Sequence, residues 1–420
     1  MEKELKTKPM VLQLGPSHPA MHGTIKITVE LEGETIRSAY VEIGYLHRAF
    51  EKHCEDGTYL QAIPYTDRLN YVSPLINNFG YLMAVEKLLD LKVTERCEYV
   101  RVIMSEISRI SDHLTCIGAS SMEVGAMTVF LYMIEAREFL WELIEDVTGA
   151  RVTVSYGRVG GVKADLPEGF EEKTKKAFAK VRSTLKEVDN LLTGNRIFVD
   201  RLKGVGTISA EDAISYGFTG PLLRATGVAY DVRKHQPYSV YDQFDFEVPL
   251  GSQGDNFDRY LVRMAEMEQS MRIVEQALAK IPQGPLKVDL EGRVIEAAEM
   301  VDKAKLGETE QLLDYRAYLS PNLEGMEKDR YYLVNASDKR ATLPLKEGVY
   351  TNIEALMHHF KMVMFGHGVR PPKGEVYVAV EGANGELGFY MVSDGSDKPY
   401  RVHVRAPCFP LMAALSKMLE

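Results

Sequence analysis

Two histidines, His18 and His22, stand four residues apart in Gly15-Pro16-Ser17-His18-Pro19-Ala20-Met21-His22-Gly23. An imidazole exchanges a proton near neutral pH. Glycines at both ends of the segment let the backbone turn and approach another group closely, while Pro16 and Pro19 stiffen what lies between. Two uses are open to such a loop: a shaped turn whose histidines satisfy buried polar groups, or a site that presents imidazoles to a ligand. A third, metal chelation, is disfavoured, because Pro19 interrupts any helix that would align the pair and a zinc site needs further ligands. A second cluster, Tyr65-Thr66-Asp67-Arg68-Leu69-Asn70-Tyr71, packs charge, amide and phenol between apolar segments. Its bland explanation is a polar helix start capped by Asp67 or Thr66. The third, Tyr45-Leu46-His47-Arg48-Ala49-Phe50-Glu51-Lys52, is basic and aromatic, and alone reads as a surface patch.

The elements that position these residues follow from periodicity. Ile25–Leu31 alternates apolar and polar residues, the period of a half-buried strand. With a turn at Glu32-Gly33-Glu34 and a second strand over Thr35–Ile43, the chain opens on a β-hairpin. Ile103, Ile107, Ile110, Leu114 and Ile117 then recur at helical spacing. A second helix over Val129–Val147 is apolar enough to predict burial on more than one side. A third, Phe170–Leu192, ends near Gly194, placed as a C′ glycine. A fourth, Asp255–Lys280, aligns Leu261, Met264, Met267, Met271, Val274 and Leu278, with the methionines as core filling. Together they predict a helical bundle. Tyr156–Gly161 breaks it, and Gly204–Gly254 reads as ordered loop with short strand. Residues 300–348 read as a surface insertion. Glu375–Val380 and Gly388–Val392 flank a turn at Asn384-Gly385, and Arg401–Arg405 alternates again. The domain reading is an N-terminal β region (1–50), a helical core (51–282), an insertion (283–348) and a C-terminal α/β region (349–420), all one compact unit.

Composition sets limits on the chemistry. The 420 residues are 45% hydrophobic and 26% charged, with a net charge of -10. This balance is globular and argues against nucleic acid as the main partner. Cys54, Cys97, Cys116 and Cys408 share no CxxC spacing, so neither an iron–sulfur cluster nor structural zinc is expected on this chain alone, and a disulfide framework is not expected either. Near Val124–Ile134 the longest uncharged apolar run falls far short of the ~20 residues that span a bilayer, and no signal segment opens the chain.

The segments GPSHPAMHG, GYLHRAFEK, YTDRLNY, GRVGGVKADLP, LRATGVAYDVRK and PPKGEVYV with GELGFYMVSDG, in this order, closely resemble the D-subunit family of respiratory complex I. The resemblance runs from about Gly15 to Pro407, interrupted by the insertion. It implies an α+β fold like the nickel–iron hydrogenase large subunit, with a central bundle of long helices, an N-terminal β-hairpin region and a C-terminal α/β region. The hydrogenases hold their metal with two CxxC pairs, absent here, and in this family the former metal cavity is the quinone headgroup pocket.

Residue by residue, the resemblance gives His22 and Tyr71 as headgroup ligands, both binding and helping to protonate quinone. Reduction to quinol takes two electrons and two protons; a phenol near ~10 is a good donor and an imidazole near ~6.5 exchanges protons at cellular pH. Glu123 stands where the family most often has an Asp partner for the histidine, His18 shapes the loop, and Arg48 lies near the terminal iron–sulfur cluster of the adjacent B-type subunit. NAD and the clusters belong to other subunits. The implied partners are the B, C and I subunits of the peripheral arm and the H-type membrane subunit, at the cytoplasmic face of the bacterial plasma membrane. The expected activity is that of a proton-translocating NADH:quinone oxidoreductase, in which this subunit is not active alone.

The sequence also departs from the family. Thr153 replaces a family histidine near the terminal cluster, pointing to a lower-potential quinone such as menaquinone. Family members continue past Arg-Ala-Pro-Cys-Phe into an Asp/Gly-containing stretch ending in Asp-Arg near the cavity. Here the sequence reaches Glu420, which leaves that wall to a continuation of the chain or to another source. Three rivals stand beside the main expectation: the equivalent subunit of a hydrogenase-related or ferredoxin-dependent membrane complex, a structural scaffold subunit, and a metal hydrolase using His18 and His22.

Overall fold

A computed structural model describes residues 8–18, 23–282, 287–288, 294–295, 340–341, 343–344, 346–364 and 366–419. It mixes helix and sheet, with the helices central and a three-stranded sheet near each end. The N-terminal sheet holds β1 (Pro9–Leu14), β2 (Lys26–Glu32) and β3 (Thr35–Glu42), all antiparallel. The expected hairpin is β2–β3. β1 was not expected, because its residues lie exposed and carry no alternation to reveal a buried face.

Short helices α1 (Phe50–Asp56) and α2 (Ile63–Thr66) lead into α3 (Pro74–Leu89). Nearly every residue of α3 is buried, polar Asn77, Asn78 and Glu86 included. A helix covered on all sides has no apolar stripe, so periodicity does not reveal it. The 29-residue helix α4 (Glu95–Glu123) is started by Thr94, whose side chain accepts from the Cys97 amide, and carries Glu95 and Glu98 in its first turn; both features favour a helix N-terminus. Its expected stripe, Ile103, Ile107, Ile110, Leu114 and Ile117, is buried throughout. α4 packs against α5 (Met127–Thr148) and α11 (Asn256–Lys280), and α5 packs against α6 (Phe170–Leu192).

Several expectations need correction. α5 buries one face only: Met133, Leu140 and Ile144 point inward while Met127, Leu131 and Phe139 stay on the outside. α6 does end at Leu192, but Thr193 keeps helical dihedrals and Gly194 does not take the left-handed conformation of a C′ glycine. The chain is instead redirected by Asn195, which caps α7 (Arg196–Leu202). Leu261, on the α11 stripe, is exposed, whereas Met267 and Met271 are core. Between Gly204 and Gly254 the structure has short helices where strand was expected: α8 (Ala210–Ser215), α9 (Gly220–Arg224) and α10 (Val232–His235). Ser209 and Asp231 cap the first and the last, and helices of 6, 5 and 4 residues are too short for a periodic pattern to develop.

Tyr156–Gly161 gives a ribbon of two-residue strands, β4 (Gly157–Arg158) and β5 (Gly161–Val162). The 283–348 insertion lies almost wholly outside the described residues, which there include the pair β6 (Lys287–Val288) and β7 (Val294–Ile295). The C-terminal sheet joins β8 (Gly374–Gly382), β9 (Gly385–Ser393) and β10 (Arg401–Arg405). Its tight turn is Ala383-Asn384, one residue earlier than expected, because Gly382 pairs with Gly385. This sheet packs on α3, where Gly80 makes room: a Cβ there would meet Phe389 and Val380 at 3.0 Å. Among the described residues no helix is long and apolar enough to cross a membrane.

Candidate functional site

Tyr71 lies between α2 and α3 on a tightly pinned turn. Asn70 Nδ2 and Ser73 Oγ both donate to Asp112 Oδ2 on α4, each at 2.7 Å. Asn77 Nδ2 donates to the Asn70 carbonyl at 3.2 Å, tying the turn to the first turns of α3. With both flanks held, the Tyr71 ring is left 65% exposed. A phenol presented this way can donate to a ligand without first breaking an internal bond.

Within the Tyr65–Tyr71 cluster Thr66 and Asp67 face inward while Tyr65, Arg68 and Leu69 are exposed, and neither Thr66 nor Asp67 caps a helix start. Asp67 is buried and accepts from the Ser155 amide at 2.6 Å and the Ser155 hydroxyl at 2.8 Å. Its other oxygen, Oδ1, has no partner among the described residues. Burial pushes the Asp67 carboxyl above its ordinary value, and the Ser155 bonds and the charges of Arg68 and Arg158 only partly offset it. Asn78 extends the tie, donating to Thr66 Oγ1 at 3.2 Å and accepting from the Gly157 amide at 2.7 Å. Gly157 must lack a side chain, because a Cβ would lie 2.2 Å from Leu82 and 2.3 Å from Asn78. Two separate sequence motifs, YTDRLNY and GRVGG, are thus one structural unit.

The other expected site residues are distributed as follows. His22 lies outside the described residues. His18 is half-buried on the segment that leaves β1, and Gly23, at φ 119°, turns the chain towards β2. Arg48 is exposed in the turn ahead of α1, which the His47 amide closes on the Gly44 carbonyl. Glu123 is the exposed last residue of α4. A helical rise of ~1.5 Å per residue puts it about 16 Å beyond Asp112, the acid to which the Tyr71 turn is pinned. Thr153 is half-buried with a left-handed backbone, φ 54°. Among the described residues no group of three or more His, Cys, Asp and Glu side chains is arranged to hold a metal, and the four cysteines are unpaired thiols.

Behind this surface α4 carries a charge network that sequence reasoning missed. His113, next to Asp112, shares a 2.9 Å hydrogen bond through Nε2 with Glu266 of α11. Arg224 of α9 donates to Glu266 at 2.7 Å and to Glu381 of β8 at 2.9 Å. Arg233 bridges Asp231 (2.7 Å) and Glu106 (3.0 Å), and Tyr241 donates to Glu106 at 2.6 Å. Arg109 donates to Glu106 and to the carbonyls of Glu381 and Gly382. All these side chains are essentially inaccessible to solvent. Burial by itself would raise the Glu106 carboxyl, but Arg109, Arg233 and the Tyr241 hydroxyl hold it at about 2. Burial has the upper hand at His113, pushing the imidazole below its ordinary value despite Glu266. One signal was available: Arg101, Glu106, Arg109 and His113 interrupt the isoleucine-rich middle of α4, where a solvated helix would keep charges to its outer face.

The sequence model of the family described as respiratory-chain NADH dehydrogenase, 49 kDa subunit, matches residues 123–420. This chain belongs to that family. The D-type subunit of the NADH-quinone oxidoreductase of Myxococcus xanthus is 50% identical over 420 residues, covering 100% of this chain and 89% of that protein. The first-numbered D-type subunit of the Sorangium cellulosum enzyme is 48% identical over 419 residues, covering 100% of this chain and 91% of its own. In Bdellovibrio bacteriovorus the similar protein is named as a C/D-type subunit; it is 46% identical over 416 residues, 99% of this chain and 65% of that protein. Of the segments singled out in the sequence of this member of the 49 kDa subunit family, YTDRLNY, GRVGGVKADLP and the PPKGEVYV and GELGFYMVSDG strands reach α3.

Proposed function

We propose that this chain is the quinone-site subunit of bacterial complex I, reducing quinone to quinol with electrons from the terminal iron–sulfur cluster of a neighbouring B-type subunit, in a reaction coupled to proton translocation. The observation that carries the reading is the Tyr71 turn: an exposed phenol whose two flanks are anchored to one buried carboxylate, Asp112. Anchoring fixes the position of the ring, as a headgroup donor requires, because a preorganised donor loses little when charge develops on the quinone oxygen. In this reading His22 binds the second carbonyl and Glu123 orients it, His18 shapes the loop, and Arg48 faces the neighbour's cluster. Thr153, in place of the family histidine near that cluster, favours menaquinone as the substrate.

The fold would then be that of the nickel–iron hydrogenase large subunit, with the four regions 1–50, 51–282, 283–348 and 349–420 as parts of one unit. A relative named as a C/D protein supports a C-type neighbour. The remaining partners are the I-type subunit and the H-type membrane subunit. The chain sits peripherally at the cytoplasmic face, and NAD is handled elsewhere in the complex. The test is Tyr71→Phe in the assembled complex. Quinone reductase activity falls at least tenfold while the complex still assembles and its clusters are still reduced by the upstream donor. Unchanged turnover would remove Tyr71 from the site and favour the scaffold alternative.

A further inference from the structure

The buried network behind Asp112 does not balance its charge. Four carboxylates, Glu106, Asp231, Glu266 and Glu381, face three guanidiniums, Arg109, Arg224 and Arg233, and all seven are buried. A net negative charge in such surroundings is costly, and the usual relief is for one group to hold a proton. The charged groups around the network do not supply the missing cation. Arg263 and Asp112 both face His113 with opposite signs, and Glu386 lies beside Arg405, whose Nη1 donates to the Glu386 carbonyl at 2.6 Å.

Two groups could hold the proton. On His113, Nε2 is already engaged with Glu266 and Nδ1 is buried with no partner among the described residues. A proton on Nδ1 would place a second positive charge beside Arg263. Glu381 has a different neighbourhood. A single nitrogen, Arg224 Nη1, faces both Glu381 Oε1 at 2.9 Å and Asp231 Oδ2 at 3.6 Å, so two carboxylates crowd one cation. Among the described residues Glu381 Oε2 accepts only the Val232 amide, at 3.1 Å. Asp231, by contrast, is fully engaged by Arg233.

From this crowding of two carboxylates on one guanidinium we infer that Glu381 is held as a neutral carboxylic acid at neutral pH, a proton-binding site buried one layer behind the candidate quinone site. Burial and the neighbouring Asp231 push its carboxyl above the ordinary value, outweighing Arg224, Arg233 and Arg109. The site reaches the surface chemistry through Arg224, Glu266 and His113 to Asp112, the anchor of the Tyr71 turn. Its use as a proton store for quinone rests on the function proposed above; the proton itself does not.

The experiment is infrared spectroscopy of the assembled complex at pH 7, wild type minus Glu381→Gln. The difference spectrum should contain a carboxylic-acid C=O stretch that shifts in D2O and persists well above the pH at which ordinary carboxyls ionise. Its absence would overturn the proposal. Thermal unfolding supplies a second readout. Glu381→Gln replaces one neutral group with another and should assemble with little change in melting temperature, whereas Glu266→Gln removes a true counter-charge and should lower it markedly. Loss of assembly or equal destabilisation in Glu381→Gln would also overturn the proposal. Tyr71→Phe leaves the band in place, so failure of the quinone reading and failure of this inference are seen separately.

Discussion

The sheets near the two ends of the chain share a strand count and an antiparallel order but differ in what covers them. In the C-terminal sheet, Phe389 and Met391 of β9 and Val402 of β10 are fully buried, and the sheet packs on α3. In the N-terminal sheet, Met10, Val11 and Leu12 of β1 are 52%, 65% and 41% exposed. Consecutive strand residues point to opposite faces, so β1 is open on both sides. Only β2, through Ile27 and Val29, contributes fully buried side chains. The C-terminal sheet is therefore part of this chain's own core and is bound to its charge network through Glu381. The outer N-terminal strand draws little stability from the rest of the chain.

This contrast can be broken most directly through the network. Arg224→Met would leave Glu266 without its guanidinium counter-charge and Glu381 without a hydrogen-bond donor, and losing one partner of such a buried set costs about 3–5 kcal/mol. The expected result, read by denaturant unfolding or by yield of assembled complex, is severe destabilisation. Phe389→Ala should come next, at about 3–5 kcal/mol for a buried aromatic, in part through a cavity against Gly80. Its effect would be at the lower end of that range if α3 can settle into the space.

Acid should separate the two ends further. Glu106 is ordinarily near 4.5 and is held at about 2 in the folded protein. The unfolded chain therefore binds this proton first, and the stabilisation, complete above about 4.5, is lost as pH falls towards 2. His113, pushed below its ordinary 6.5, acts in the same direction, so stability begins to decline as pH drops through 6.5. Hydrogen exchange against pH should show protection of α4 and β8 falling over these windows. β1, Pro-Met-Val-Leu-Gln-Leu, contains no titratable side chain to respond. The smallest effect belongs to Val11→Ala, which should change stability by no more than about 0.5 kcal/mol; a larger loss in the isolated chain would mean that β1 is better covered than its exposure indicates.

The same contrast governs what could be read in the sequence. α4 was legible because its isoleucines face one way, and the β8–β9 hairpin because tight turns have their own chemistry. α3 was not, since Asn77, Asn78 and Glu86 are buried along with its leucines, and Asn78 and Glu86 find their partners far away in sequence. β1 was missed for the opposite reason, exposure without a preferred face. Of the candidate site, Tyr71 came from the resemblance to a family, while Asp112, its anchor, stood out in no local pattern. Asp67 is visible in the cluster, but the bland explanation there offers only a helix cap for it, because its partner, Ser155, lies 88 residues away. Pairing across such distances decides which charges are buried, and a single sequence does not show it.

The bonds from Arg109 to the carbonyls of Glu381 and Gly382 span 272 and 273 residues. On a ribosome adding about 5–20 residues per second, β8 follows α4 by roughly 15–55 s. Through that interval the central helix is made but the guanidinium of Arg109 has only Glu106 from its own helix as a partner, and Arg224, which meets Glu266 earlier, still waits for Glu381. The middle of this protein must therefore be finished last, and a nascent chain released before the C-terminal hairpin has emerged would leave guanidinium donors without acceptors where the mature molecule has its core.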